Sequence, residues 1–396
     1  MTPAEWSALI AESVIVQADT GYRAWTEDVL TGQTLCFDLP IAISNYSYSK
    51  VNGYGELSGD ISLDASDDVA LLTEPRRTRL WVQHRGRLVW GGIIWDAEPQ
   101  IAARTLRITA QTSLSYYEMR LLSVTLSFVD RDQLEIFRGL IVYADAQLNG
   151  DIGLQFEETL TGIRRTRYYG PGAGEGARPD KPILEAMKQL AELDNGFEFV
   201  DDWFWNDDSQ PQSIVRFGYP TLGSTGGVAG LTWEYPGNCL DYTWTVAGKN
   251  SPNFMVAPGA GEGALMLVGQ ATNEDEMTAG YPRLSASTGG EYKDVVQKAT
   301  LLGHAAEDLA AVTGGRVAPQ LTVRTDVDPL PNTYGAGDRI RFRATSAYHR
   351  AKPDGSPGLD ILLRITGITV TPERPDQAGK AVLTTMRADI PALSRG

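Results

Sequence analysis

Two short segments near opposite ends of the chain resemble one another, and this repeat constrains the fold more than any other feature. Arg79-Leu80-Trp81-Val82 is similar to Arg339-Ile340-Arg341-Phe342, and Gly92-Ile93-Ile94-Trp95 is similar to Gly367-Ile368-Thr369-Val370. The second hairpin carries an extra stretch, residues 344–358. We expect each copy to lie in a small β-barrel of the same kind. The alternative is that two unrelated β-meanders share alternation and a glycine.

Short strands are predicted along most of the chain because apolar and polar residues alternate between turn signals. Residues 88–95 are apolar on both faces, which indicates a buried strand, and Pro99 is expected to end it. Gly91 and Gly92 indicate a bulge or bend there. Other strands are predicted at residues 78–83, 105–110, 197–200, 213–219, 240–246, 253–256, 321–324, 339–343, 362–370 and 381–386.

Three helices are predicted between these strands. The first begins at Asp130 or Asp132, and the second begins at Asp180 with Pro182 in its first turn. The third, at about residues 293–313, is expected to bury one apolar stripe. That stripe consists of Val295, Ala299, Leu302, Ala306 and Leu309.

Composition excludes several classes of protein. The formal charge of −15, from 35 basic and 50 acidic residues, argues against a general nucleic-acid binder or a protein that seeks anionic membranes. Cys36 and Cys239 are the only cysteines, so a disulfide framework is not expected. The chain begins without a signal-peptide pattern, and no apolar run is long enough to span a membrane.

No motif of catalytic, cofactor or metal chemistry stands out. The three histidines are far apart, and neither a nucleophile elbow nor a phosphate-binding loop occurs. Residues 258–264 have glycine spacing close to that of a dinucleotide loop, but no helix start follows, which favours a hairpin loop. We therefore predict no catalytic residue, no metal and no cofactor.

Two clusters are candidates for docking a partner. The first is basic and aromatic, and the second is an aromatic tip between acidic pairs. They comprise Arg164, Arg165, Arg167, Tyr168 and Tyr169, and Trp203, Phe204 and Trp205. In an acidic chain the first cluster favours an acidic protein surface over single-stranded nucleic acid, with intrachain salt bridges as a further alternative. For the second cluster, the two alternatives are stacking on a sugar and packing on a neighbouring surface.

Several segments together resemble the tail-hub proteins of long-tailed bacteriophages, also called minor tail or baseplate hub proteins. The resemblance is a pattern of weak similarities over most of the chain. The segments are Gly55–Gly59, Trp90–Ile93, Leu106–Ala110, Tyr117–Arg120, Asn253–Val256 and Tyr334–Ile340.

The resemblance implies a mainly β protein with α/β insertions and no enzymatic activity. It implies a barrel over residues 1–121, an α/β insertion over 122–226, a β segment with the long helix over 227–316, and a second barrel over 317–396. Three copies would form a pseudo-sixfold ring of barrels at the tail tip of the virion, after synthesis in the host cytoplasm. The implied partners are other copies, other tail proteins such as the distal tail, tube and tape-measure proteins, and the host surface, with DNA present only in transit.

The acidic balance suits such a ring, because a negative lumen repels DNA in transit. Two functions from other classes remain open. A tail-associated cell-wall hydrolase needs two carboxylates in a cleft, and a carbohydrate-binding receptor protein needs exposed aromatic residues such as Trp203.

Overall fold

A computed structural model describes residues 21–48, 50–65, 68–171, 181–223, 231–247, 249, 251–289, 292–293, 295–312, 316–331, 333–372 and 380–388. The chain divides into two compact units. The first unit comprises Met1–Asp241 and Leu321–Thr384, and the second comprises Tyr242–Gln320 and Thr385–Gly396.

The described elements are mainly strands, as the sequence predicts. The strands are β1 Tyr22–Asp28, β2 Thr34–Cys36, β3 Ile41–Tyr48, β4 Glu56–Ser62, β5 Thr78–His84, β6 Arg87–Gln100, β7 Thr105–Thr112, β8 Leu126–Asp132, β9 Leu154–Phe156, β10 Arg164–Tyr169, β11 Glu198–Trp205, β12 Pro211–Gly218, β13 Thr232–Tyr235, β14 Cys239–Ala247, β15 Phe254–Pro258, β16 Val268–Thr272, β17 Ser285–Ser287, β18 Arg316–Arg324, β19 Arg339–Ala344, β20 Leu359–Thr371 and β21 Lys380–Ala388. The helices are α1 Val69–Leu72, α2 Gln133–Asp145, α3 Ile183–Ala191, α4 Glu274–Thr278 and α5 Lys298–Val312.

Thirteen of the described strands form one sheet, and this sheet contains the same arrangement of six strands twice. The first module, β1 and β3–β7, has the order β1-β5-β6-β7-β4-β3. The second module, β13, β14 and β18–β21, has the order β13-β19-β20-β21-β18-β14. When the six strands of each module are numbered in chain order, strands with the same number therefore have the same position in the two modules. The modules differ in that β1 is antiparallel to β5, whereas β13 is parallel to β19.

The two modules meet where β20 pairs antiparallel with β3. Ile368 lies opposite Tyr48, and Val370 lies opposite Tyr46. The N–H of Val51 extends this contact by donating to the carbonyl of Thr366 at 3.0 Å. The path through the described strands runs from β14 to β2 without returning, so they close no barrel.

The similar segments of the sequence form corresponding hairpins, β5–β6 and β19–β20. Arg79 lies opposite Ile93 in the first hairpin, and Arg339 lies opposite Arg364 in the second. Residue 93 thus corresponds to residue 364, whereas the sequence similarity had paired Ile93 with Ile368. The repeat is present, but the alignment of its second segment shifts by four residues.

Two local predictions about β6 were wrong. The strand does not end at Pro99, which lies opposite Leu106 near the end of the ladder with β7. Gly91 and Gly92 do not form the bulges of this strand either. One bulge lies between Ile94 and Asp96 in the ladder with β7, and another lies in the ladder with β5. The glycines leave space instead: a Cβ on Gly91 would lie 2.2 Å from the ring of Trp81.

An α/β insertion follows the first module. It contains a two-stranded ribbon, β8–β10, and a small sheet in which β12 lies between β11 and β9. Asp132 caps α2 through its side chain, and Glu135 completes a capping box, which confirms one of the two predicted helix starts. Asp180, the predicted cap of α3, lies outside the described residues, and the helix begins at Ile183 after Pro182.

In the second unit, α5 packs on the sheet formed by β15, β16 and β17. Its buried residues are Leu301, Ala305 and Leu309, while Ala299, Leu302 and Ala306 are exposed. The predicted stripe was therefore wrong in three of its members. The helix is apolar on two sides, so the periodicity alone did not identify the side that faces the sheet. The glycine-rich segment predicted as a hairpin loop lies between β15 and β16, where the N–H of Gly259 donates to the carbonyl of Leu267 at 2.7 Å and the N–H of Leu267 donates to the carbonyl of Ala260 at 2.9 Å.

The close contact at Gly91 gives a testable prediction. Gly91→Ala forces a Cβ into the rings of Trp81 and Trp203 and should lower the free energy of unfolding by about 1–3 kcal/mol. Gly367→Ala is the matched control in β20, because nothing lies within 4 Å of its added Cβ. Urea unfolding should show the control within about 0.5 kcal/mol of the unmodified chain. Equal stability of both variants would contradict this packing.

Candidate partner-docking surfaces

The basic cluster lies on β10, where it forms the ribbon with β8. Arg164 makes an ion pair with Asp130, with 2.9 Å between Nε and Oδ1. Arg165 donates from Nε to the side-chain oxygen of Gln133 at 2.9 Å and from Nη2 to the carbonyl of Asp194. Two of the three arginines are thus engaged within the chain, which agrees with the intrachain alternative for these residues.

The aromatic residues of the same strand point to opposite faces. Tyr169 packs edge-on against Phe128, toward the interior of the insertion. Tyr168 is 51% exposed, and Val129 on β8 is 59% exposed. Burial raises the pKa of Tyr169 to about 12. The ribbon therefore presents one exposed aromatic side chain and one exposed aliphatic side chain, beside the half-buried Arg167.

The aromatic tip lies at the end of β11 and packs on the first module. Trp203 is only 9% exposed and donates from Nε1 to the carbonyl of Gly91 at 3.0 Å. Trp205 stacks on Trp25, with 5.6 Å between ring centroids. Phe204 points to the other face and is half-buried. Trp203 and Trp205 thus pack on a neighbouring surface, which was one of the two hypotheses for this tip. That surface belongs to the same chain.

A buried carboxyl group supports this contact, and sequence reasoning missed it. Asp201 accepts a hydrogen bond from the N–H of Leu114 at 3.1 Å and is 5% exposed. The hydroxyls of Ser113 and Ser213 lie 3.1 Å apart beside it. Burial raises the pKa of Asp201 to about 7. The acidic pair at residues 201–202 thus includes one buried structural residue.

A second group of polar contacts joins the insertion to both modules. Arg364 on β20 donates from both Nη atoms to the carboxylate of Glu198 on β11. The Glu198 carboxylate also accepts from the N–H of Leu222 at 2.8 Å. Asn52 of the first module pairs with Phe199 through its N–H and its side-chain oxygen, at 2.9 and 3.0 Å. We call these contacts the junction. No sequence signal links residues this far apart.

The described residues show no cluster of three or more histidine, cysteine or acidic side chains able to hold a metal ion. Both cysteines are free thiols, and burial raises the pKa of Cys239 to about 12, which keeps the thiol protonated near neutral pH. In the part of the chain that is described, no helix is both long and apolar enough to cross a membrane.

The fold is that of phage tail proteins, which confirms the expected resemblance at the level of the fold. The 43 kDa tail protein of prophage MuSo2 from Shewanella oneidensis superposes with a TM-score of 0.58 at 12% identity, over 93% of this chain and 100% of that one. A tail protein from Neisseria meningitidis MC58 gives 0.55 at 13%, over 93% and 97%. Prophage tail protein gp18 from Listeria monocytogenes EGD-e gives 0.50 at 11%, over 91% and 94%. No family model and no curated protein matches the sequence.

The buried Asp201 predicts how stability depends on pH. Its carboxyl has a pKa of about 7 in the folded chain and an ordinary value of 3.8. The resulting stabilisation is complete below about pH 4 and is lost as the pH rises through about 7. As the pH rises across this range, the free energy of unfolding should therefore fall by up to about 4 kcal/mol. When urea unfolding is measured at several pH values, the chain with Asp201→Asn should show a smaller slope of the free energy of unfolding against pH.

Asp207→Asn, in the exposed turn of the same hairpin, is the matched control. If the chain with Asp201→Asn keeps the full slope of the unmodified chain, then Asp201 is not the group that titrates.

Proposed function

We propose that this protein is a structural, non-enzymatic hub of a phage tail tip, in which three copies form a ring that connects the tail tube to distal tail parts and lets DNA pass. The observation that carries the proposal is the repeated module. Three chains with two modules each supply six similar units. Such a ring matches a tail tube of sixfold symmetry while the chain itself needs only threefold symmetry.

We propose the same division of the chain as the sequence suggested. Residues 1–121 form the first hub domain, and residues 122–226 form the α/β insertion. Residues 227–316 and 317–396 form the second hub half, with two barrels completed in the assembly rather than in the isolated chain. The strand order that the two modules share supports the first hub domain and a second hub half drawn from residues 227–396, in which β18 crosses the proposed boundary at residues 316 and 317.

An acidic face in the first module supports passage of DNA. Glu56 and Asp60 on β4 lie opposite Gln111 and Arg107 on β7. Asp60 neutralises Arg107, with 3.1 Å between Nε and Oδ1, and Glu98 on β6 lies opposite the same arginine. This face thus has more carboxylates than cations, and a DNA backbone would not adhere to it.

The proposed docking residues divide by their exposure. Tyr168, with Arg164, Arg165 and Arg167 around it, is the proposed contact with another tail protein, such as a distal tail, tube or tape-measure protein. Trp203, Trp205 and the inward-facing Tyr169 instead keep the insertion in place, and Phe204 lies at the margin. The carbohydrate-receptor alternative depended on an exposed Trp203, which is buried.

The mass of the protein in solution tests the hub directly. We expect light scattering to give three times the 43.1 kDa of one chain, alone or with the tube protein of the same phage. A monomer under both conditions contradicts the hub. Release of sugar or peptide from purified host cell walls would instead favour the hydrolase alternative.

The ribbon contact is tested by Tyr168→Ala. An aromatic residue at the centre of an interface commonly contributes about 2 kcal/mol or more, so affinity for the tail partner should fall at least tenfold. The measurement is biosensor binding to the recombinant distal tail, tube and tape-measure proteins of the same phage.

Tyr281→Ala is the control for that experiment, because Tyr281 is similarly exposed, at 50%, but lies in the second unit. Equal affinities for the two variants would show that the ribbon is not the docking surface.

A further inference from the structure

The corresponding hairpins of the two modules, β5–β6 and β19–β20, differ in the loop that closes them. In the first module a two-residue turn joins His84 to Arg87, which lie opposite each other. In the second module residues 345–358 join Ala344 to Leu359, which also lie opposite each other. We call residues 345–358 the long loop. The shared module does not require it, because the first hairpin closes without one.

The long loop is held in one conformation by its own contacts. The N–H of Ser346 donates to the carbonyl of His349 at 2.8 Å, and the Ser346 hydroxyl accepts from the N–H of His349 at 3.0 Å. A Cβ on Gly358 would lie 2.3 Å from the carbonyl oxygen of Arg350, so the two arms of the loop touch. A loop that is already ordered loses little conformational entropy when it binds a partner.

The long loop presents positive charge on an acidic chain. Arg350 and Lys352 are exposed, and neither of them forms an ion pair with any residue that the structure describes. The one carboxylate of the loop, on Asp354, accepts from the N–H and the hydroxyl of Ser356 at 2.9 and 2.6 Å. Both cations therefore remain available to carboxylates outside the chain.

The arginines at the base of the same hairpin are neutralised within the chain. Arg341 pairs with Asp360, with 2.7 Å between Nε and Oδ1, and Arg343 pairs with Glu234, with 2.8 Å between Nη1 and Oε1. Burial also lowers the pKa of His349, so this imidazole is mostly neutral at pH 7. The free positive charge of the hairpin is thus confined to the two cations of the long loop.

An exposed aromatic side chain lies beside these cations. Tyr348 is 73% exposed and stands edge-on to the ring of His349, with 4.8 Å between the ring centroids. Tyrosine and arginine are enriched among the residues that contribute most to protein–protein binding. The composition of the long loop is therefore that of a protein contact.

The charge of the chain distinguishes an acidic protein from DNA as the partner. Two cations in each chain are few for a DNA backbone, because such binding neutralises several phosphates and the chain carries a formal charge of −15. A protein surface needs only carboxylates opposite Arg350 and Lys352 and a contact for the ring of Tyr348. The acidic remainder of the chain repels that surface elsewhere and so directs it to the loop.

We propose that the long loop docks an acidic surface of a neighbouring tail protein, with Tyr348 at the centre and with Arg350 and Lys352 paired to its carboxylates. This inference rests on the proposed function as a tail hub, and it adds a contact to that of the ribbon. Because only one of the two modules carries the loop, each copy offers one such site.

Reversing the two charges tests the contact. The chain with both Arg350→Glu and Lys352→Glu is compared with the unmodified chain in biosensor binding to the recombinant distal tail, tube and tape-measure proteins of the same phage. Affinity for one of these proteins should fall at least about tenfold, because two attractive pairs become repulsive. The affinity of the unmodified chain should decrease as salt is added, and that of the variant should depend less on salt.

Arg87→Glu is the matched control, because Arg87 is exposed at the corresponding turn of the first module. It should leave the affinity unchanged. A second variant replaces residues 345–358 by Arg-Gly, the two residues that close the first hairpin. This variant should lose the contact altogether, while light scattering should give the same mass as for the unmodified chain.

The outcomes separate the loop from the hub. If both loop variants bind every tail protein as the unmodified chain does, the long loop is not a docking surface, and a trimer in light scattering leaves the hub in place. If the unmodified chain binds none of these proteins, the loop proposal is wrong, and the hub is wrong as well if no trimer forms. If the loop variants instead lose binding to double-stranded DNA, the loop contacts nucleic acid and the proposal is wrong.

Discussion

The short antiparallel pairing of β20 with β3 is the contact on which the rest of the architecture depends. It satisfies the backbone of two strand edges at once and turns two modules into a continuous sheet. Ile368, Val370, Tyr46 and Tyr48 are buried around it, and burying each such side chain contributes about 1.5–3 kcal/mol. The orientation of one module relative to the other therefore depends on only a few residue pairs and on whatever holds them in register.

The junction supplies that support. Val51 and Asn52 belong to the loop that follows β3, and they bond to Thr366 on one side and to Phe199 on the other. The Glu198–Arg364 pair then connects β11 directly to β20, with both side chains less than one-fifth exposed. Two-pronged contacts between arginine and a carboxylate are directional, so they fix geometry as well as contribute energy. The insertion thus holds the two modules in place in addition to carrying its own ribbon.

The insertion itself is held on the first module by buried polar groups as well as by its aromatic tip. Arg79, which is almost fully buried, donates to the carbonyl of Ile152, and Asp201 accepts from Leu114. Burial lowers the pKa of Arg79 and raises that of Asp201, in both cases because the charged form loses water. Buried polar groups of this kind add little net stability, but a shifted register would leave them unpaired. The proposed ring requires such fixed geometry, because small angular errors would prevent three chains from closing.

The sequence by itself determined the mainly β architecture, the position of the repeated hairpins and the capped start of α2, because alternation, turn residues and capping pairs are local signals. It also indicated the resemblance to phage tail proteins that the fold confirms. Only the tertiary structure decided that Trp203 is buried, that α5 buries Leu301 and Ala305 instead of Leu302 and Ala306, and that β6 continues past Pro99. These outcomes depend on which surface lies opposite each residue. The four-residue shift between the two hairpins has the same cause, since strand register is set by hydrogen bonds to a distant partner and not by the pattern within one strand.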